Sequence, residues 1–312
     1  MGGGQDSGDG SLCLADTKGP SPILLCPRRY LLRLLFWYRR RMTASTRYTN
    51  APLVYVICQI MHPVAQPLSR GEEAALKQQY AQTLPLADNE TRSQLGVGVV
   101  SGGAPSAQVV RTDPIVRFSA RNRRTAVTFA PEAITLETTK YETWDGFRAL
   151  LVAVLASRQD VAPVDGVERI GLRYIDEIRV ADAGPPGWAD WVGPQLLPPQ
   201  IATPEVLRLG QQQATVQYDT AHPGVQVTLR YGAVNGPTTV GDGPIARPSP
   251  PAPGHYFLVD TDVSWTLTPG EETPALVPDD VARRGDLLHS FAKDLFEGML
   301  TDRLRQEVLH AD

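Results

Sequence analysis

The feature that most constrains this chain is that its strand-like segments come in runs. Residues 108–119, 125–129 and 133–138 follow one another with no helix between them. Within them Val116, Phe118, Val127, Phe129, Ile134 and Leu136 alternate with polar residues, which is the period of a half-buried strand. A βαβ arrangement would place a helix after each strand, so the spacing predicts antiparallel pairing. The fold class this implies is α+β, with helices packed on one face of the sheet.

The rest of the chain extends the pattern. Residues 53–60 are β-branched and apolar and predict a strand that His62-Pro63 ends. Ser69 with Glu72 has capping-box spacing and opens a polar surface helix over 71–83. A loop rich in Gly and Ser is expected over 96–106, and a hairpin turn at Arg121-Asn122-Arg123-Arg124, whose arginines are expected to be solvated. Thr143 can cap a helix whose apolar stripe is Trp144, Phe147, Leu150, Leu151, Val154 and Leu155. The pattern then restarts. Residues 167–180 read as a long strand, followed by a two-tryptophan turn at 185–191 and a proline-rich stretch at 194–204. Strands are expected at 211–218, 225–231 and 256–268, and a Pro/Gly-rich loop at 236–254. One closing helix spans 279–308, with Leu287, Leu288, Phe291, Leu295, Phe296, Met299, Leu300 and Leu304 as its stripe. The outline is of two antiparallel-sheet halves, 42–162 and 163–312, each ending in one long amphipathic helix packed on its sheet.

Residues 1–41 stand apart. The first twenty-two are rich in Gly, Ser and Asp and are expected to be disordered. The apolar run after them is interrupted by Pro27, Arg28, Arg29 and Arg33, which argues against a membrane-spanning helix or a signal peptide. Leu31, Leu34, Leu35 and Tyr38 lie at helical spacing beside arginines, so a surface anchor at 28–41 is the one membrane reading left open. Seven Lys/Arg against three Asp give this stretch a charge of +4, so the remainder carries −8 within the chain's net −4. That shift makes Met42 the expected start of the folded protein and 1–41 a disordered or non-native extension.

The apolar fraction of 42% supports a substantial core, and the acidic balance gives no reason to expect a nucleic-acid partner. Beyond residue 41 the only cysteine is Cys58, expected as a buried apolar residue in a strand. Together these predict a cytoplasmic protein.

Four segments carry a resemblance. They are Asn50-Ala51-Pro52-Leu53-Val54-Tyr55-Val56-Ile57-Cys58-Gln59-Ile60, then Val116-Arg117-Phe118-Ser119, then Thr138-Thr139-Lys140-Tyr141-Glu142-Thr143-Trp144-Asp145-Gly146-Phe147, and Arg169-Ile170-Gly171-Leu172-Arg173-Tyr174-Ile175-Asp176. They resemble an uncharacterised, sporadically distributed family of bacterial proteins, over about residues 48–308. Tyr55 stands where the family often has an acidic residue, and Val116 or Arg117 where it often has Trp, so the chain resembles a divergent member. The resemblance implies no activity and no cofactor.

No catalytic or metal motif stands out. Gly96-Val97-Gly98 lacks the third glycine of a dinucleotide loop, and there is no Gly-x-Ser-x-Gly, His-Glu-x-x-His or Cys-x-x-Cys. His62, His222, His255, His289 and His310 have no metal-ligand spacing, and each is expected in a loop or on the surface. No cofactor or metal is therefore expected. The most suggestive feature is the strand face that carries Arg169, Arg173, Glu177 and Arg179 beside the small Gly171. One reading is a charged ladder, with Arg173 pairing with Glu177 or with a neighbouring strand such as that of Arg230. The other is a pocket in which Arg173 grips an acidic or phosphorylated ligand. On the opposite face Asp176 breaks the apolar alternation and requires a buried partner or a bulge. The leading functional expectation is a non-enzymatic binding or regulatory module that takes a protein partner or a second copy of itself, as in a defence or toxin–antitoxin pair. The alternative is an enzyme or small-molecule sensor that binds an acidic ligand over the 169–179 face.

Overall fold

The computed structural model describes residues 48–98, 106–180, 185–199, 210–239 and 245–310, and Tyr48–Asp312 forms one compact unit. The expectations for residues 1–41, including the start at Met42, lie outside the described residues.

Nine strands form one sheet in the order β2-β3-β4-β5-β1-β6-β9-β8-β7. They are β1 (Leu53–Met61), β2 (Leu86–Gly98), β3 (Ser106–Ser119), β4 (Thr125–Ala130), β5 (Ala133–Thr138), β6 (Arg169–Ile178), β7 (Ala214–Asp219), β8 (Val225–Gly236) and β9 (Gly254–Thr266). Every neighbouring pair is antiparallel. The helices are α1 (Arg70–Gln79), α2 (Trp144–Val161), α3 (Pro278–Met299) and the short α4 (Asp302–Glu307). The α+β class with an antiparallel sheet is therefore correct.

The alternation in sequence becomes the two faces of the sheet. Val56, Cys58 and Ile60 of β1, Val127 and Phe129 of β4, Ile134 and Leu136 of β5 and Ile170 and Leu172 of β6 share one core. Leu76 of α1, Phe147, Leu151, Val154 and Leu155 of α2, and Val281, Leu288 and Ala292 of α3 close over it. A second apolar cluster continues toward β8, with Ile178, Leu229, Phe257 and Val259 under Met299, Leu300 and Leu304. The predicted caps form. Ser69 and Glu72 make the reciprocal capping box of α1, and the Thr143 hydroxyl accepts from Gly146 N at α2. Cys58 is buried and free, and desolvation pushes its thiol up to about 12.

Three expectations need correction. The Gly/Ser-rich segment 96–106 is strand at both ends, and an unexpected strand precedes it: β2 pairs with β3 from Leu86↔Ser119 out to Gly98↔Ser106. The segment LADNETRSQLGVG hides this strand because it has no alternating apolar set, and backbone pairing with β3 supplies what side-chain pattern does not. The closing helix is also not continuous to 308. Leu300 is extended and bridges to Val192, and the Thr301 hydroxyl then accepts from Leu304 N to start α4 afresh. His289 lies on α3 and is half-buried, and His62, in the loop after β1 as expected, is buried. His62 is 2% exposed, with Nδ1 2.8 Å from the Pro63 carbonyl. His289 stacks on Trp144 with ring centres 4.8 Å apart and meets the Tyr174 hydroxyl at 2.8 Å.

Candidate functional site

The helices and the short 3-10 turns at 185–190 and 194–196 pack on one face of the sheet. The other face is polar at its centre. Register fixes who meets whom there. Ile57 of β1 lies opposite both Glu137 of β5 and Arg173 of β6, Arg173 lies opposite Asp262 of β9, and Asp260 lies opposite both Ile175 and Arg230. A row of charged and phenolic side chains from seven strands therefore runs across the sheet: Glu90, Arg117, Glu137, Tyr55, Arg173, Asp260 and Arg230.

Asp260 anchors one end of the row. Arg173 grips it with two hydrogen bonds, Nε to Oδ1 at 2.7 Å and Nη2 to Oδ2 at 2.6 Å. Arg230 reaches the same carboxylate from β8, with Nη1 at 3.5 Å. The Asp260 side chain is 6% exposed, whereas those of Arg173 and Arg230 are 38% and 43% exposed. The bidentate bonds to Asp260 hold the Arg173 guanidinium even more firmly protonated than usual. Arg169 pairs with Asp262 at 3.7 Å, its guanidinium lying across Gly171, where a Cβ would sit 2.7 Å from Nη1.

At the other end of the row the Tyr55 hydroxyl donates to Glu137, and Arg117 lies 4.0 Å from Glu137 while pairing with Glu90 at 2.6 Å. Burial raises the acid strength threshold of both partners: the Glu137 carboxyl and the Tyr55 phenol each hold their protons to higher pH than usual.

A strap closes one side. Residues 237–239 follow β8 and residues 245–253 precede β9, and Thr238, Thr239 and Arg247 lie over the end of β6. Glu177 accepts from Thr238 Oγ1 and Thr239 N, each at 2.6 Å, and from Arg247 Nη1 at 2.7 Å. Burial alone would raise the Glu177 carboxyl, but these bonds outweigh it and hold it below the usual range. Arg179 also reaches Glu177, at 3.3 Å, and stacks over Tyr256 at 4.6 Å. Further along, Ala246 N donates to Arg123 O and the Thr139 hydroxyl donates to Ala246 O, both at 2.6 Å. The arginine-rich turn at 121–124 is thus a docking point for the strap through its backbone.

The four residues singled out in the sequence do share this face, but they divide into three groups. Arg173 joins Asp260 and Arg230, Arg169 joins Asp262, and Glu177 with Arg179 joins the strap. Arg173 does not pair with Glu177, which is held by Thr238, Thr239 and Arg247, but with Asp260 of β9, the strand that lies between β6 and β8. Tyr55, Glu137, Arg117, Asp260 and Asp262 were not singled out. The alternating DTD at 260–262 within an apolar strand was the available signal, since two acids on one face of a central strand require cations opposite.

On the helix side Asp176 is 5% exposed, and no hydrogen bond reaches its carboxyl among the described residues. β1 shifts register opposite it, between Leu53 and Tyr55, but β6 itself stays in register with β9 through Asp176↔Val259, so Asp176 remains on the apolar face. Burial, with Asp260 nearby, pushes its carboxyl up to about 8. No group of three His, Cys, Asp or Glu side chains placed to hold a metal occurs among the described residues. No helix among them is long and apolar enough to cross a membrane. Comparison with protein-family models, with curated proteins and with solved structures yields no match to this chain.

Proposed function

We propose that this protein is a non-enzymatic binding or regulatory module, cytoplasmic, whose open sheet face takes an acidic group of a ligand or protein partner. One observation carries the reading: a single buried carboxylate, Asp260, positions two guanidiniums that are themselves partly exposed. A carboxylate held this way orients Arg173 and Arg230 toward solvent without using all their N–H donors, which suits bidentate capture of a carboxylate or phosphate. The fit is to a partner encoded beside it, as in a defence or toxin–antitoxin pair, or to a second copy of the chain.

Thermal-shift screening against nucleotides and acidic metabolites, with co-purification of the neighbour-encoded protein, tests this. Arg173→Ala and Arg230→Ala should each abolish the binding seen with the parent chain, and Arg283→Ala, in an exposed pair with Asp280, should leave it intact. Binding unchanged by both face variants overturns the proposal. Turnover of an acidic metabolite by the isolated chain would favour the alternative, an enzyme or sensor, for which the coupled Tyr55–Glu137 pair supplies the acid–base group.

The reading extends to architecture and family. Residues 42–162 and 163–312 are two halves: β1 and β6, the first strand of each, meet at the sheet centre, and β5 and β9, the last, flank them. Each half then leads into α2 or α3. The segments that resemble the bacterial family fall on the two central strands β1 and β6, on the end of β3 toward one edge, and on the start of α2.

A further inference from the structure

One guanidinium on the helix side is only partly satisfied among the described residues. Arg158 of α2 is 4% exposed, and its Nε and Nη1 meet no acceptor among the described residues. The neighbouring carboxylates are committed elsewhere. Glu72 accepts from Ser69 N at 2.7 Å in the capping box, and Glu73 accepts from Asn89 Nδ2 at 3.2 Å. The ring of Phe129 lies 5.9 Å from the guanidinium carbon, a weak substitute for an anion. A buried charge without a counter-charge is among the most unfavourable features a core can contain.

The same guanidinium lines a cavity of about 30 Å³ together with Gln66, Pro67, Glu73, Pro114, Phe129 and Pro131. Three of those six are prolines, which offer no N–H, so the guanidinium and the Gln66 amide are the donors among these side chains. About 10–15 Å³ of such volume holds one water, so the cavity has room for one or two waters or one small ion. A water would accept a hydrogen bond there but leave the charge uncompensated. The Glu73 carboxylate in the same wall opposes any anion, and a doubly charged one most strongly, so a single small charge beside the guanidinium is best tolerated.

We propose that this cavity is an anion site, in which Arg158 binds one small monovalent anion of halide size. It lies across the sheet from the polar face and does not depend on the function assigned to that face. The anion would tie together the loop before α1, the β4–β5 turn and α2, all of which contribute to the wall.

The test uses the full chain, freed of halide by dialysis. Thermal unfolding is followed in sodium chloride, sodium bromide and sodium gluconate at equal ionic strength; gluconate is too large to enter. Chloride and bromide should raise Tm by about 2–4 °C relative to gluconate at saturation, and Arg158→Met should lose that difference. Crystals grown in bromide should show an anomalous peak in the cavity. An equal Tm response in the parent and Arg158→Met overturns the proposal, as does a cavity that holds water and no bromide. The bromide peak decides the question by itself where Arg158→Met does not fold.

Discussion

Asp176 and Asp260 sit on adjacent strands, and both are almost fully buried, at 5% and 4% exposure. Their surroundings are opposite. Asp260 faces the polar side and is held by Arg173 and Arg230. Asp176 faces the apolar side between Tyr174 and Ile178 and receives no hydrogen bond among the described residues. One face of the sheet was built to accept charge and the other was not, so the same residue type is an organiser on one and a liability on the other. A buried carboxyl that nothing neutralises keeps its proton to higher pH.

The largest way to sharpen the contrast is pH. The Asp176 carboxyl is raised to about 8, so the native state binds the extra proton and stability falls as pH rises from about 4 to 8. His289 works in the other direction. Burial lowers its imidazole to about 4, so the unfolded state binds the extra proton and stability falls as pH drops from about 6.5 toward 4. Between about 4 and 6.5 the two slopes oppose each other, and above 6.5 only that of Asp176 remains. Urea unfolding should therefore show a nearly level stability across mildly acidic pH and a decline from about 6.5 to 8. Asp176→Asn should remove the alkaline decline and raise stability at pH 8 by roughly 2–4 kcal/mol relative to the parent, with little difference at pH 4. His289→Phe should remove the acid loss and expose a continuous decline from pH 4 upward. Identical pH profiles for parent and Asp176→Asn would show that Asp176 is not buried with its proton.

The second prediction breaks the other member of the pair. Asp260→Asn leaves Arg173 and Arg230 facing each other with no carboxylate between them. Removing one partner of a fully buried pair costs about 3–5 kcal/mol, and because both guanidiniums are partly solvated the expected loss is nearer ~2 kcal/mol. The loss should shrink in high salt, where the repulsion between the two guanidiniums is screened. Denaturation at low and high salt checks both points, and a salt-independent loss would indicate packing rather than charge.

Much of this contrast can be read from the chain before its structure. Odd and even positions from Arg169 to Ile178 separate the two faces, and Asp176 is visible as the residue that breaks the rule. The alternation of Val116, Phe118, Val127 and Phe129 marks the core because period two is a local property of a strand. What local pattern cannot carry is pairing order. Asp260 becomes the partner of Arg173 only because β9, some 87 positions later, inserts between β6 and β8. β2 escapes for a related reason: its stability comes from a hairpin with β3 and not from an apolar face. His289 looks like a helix flank because Asp286 and Lys293 are near it in sequence, whereas its ring is packed by Trp144 and Tyr174 from distant segments.

The smallest effect belongs to Arg169. Its pair with Asp262 spans 3.7 Å, and both side chains keep about a quarter of their surface in solvent, at 27% and 24%. Such a pair gains little over hydration, so Arg169→Met should cost ~0.5 kcal/mol or less. The comparison with Asp260 makes that number informative. Asp262 lies two residues along the same strand and faces the same way, but it lacks the bidentate contact and the second guanidinium. If the polar face were uniformly an ion ladder, removing either anion's partner would cost similar amounts. If recognition is concentrated at Arg173 and Arg230, Arg169→Met should change stability slightly and leave ligand binding within twofold of the parent, while Arg173→Ala abolishes it. A loss of binding in Arg169→Met comparable to that in Arg173→Ala would move the centre of the site along β6 toward Gly171.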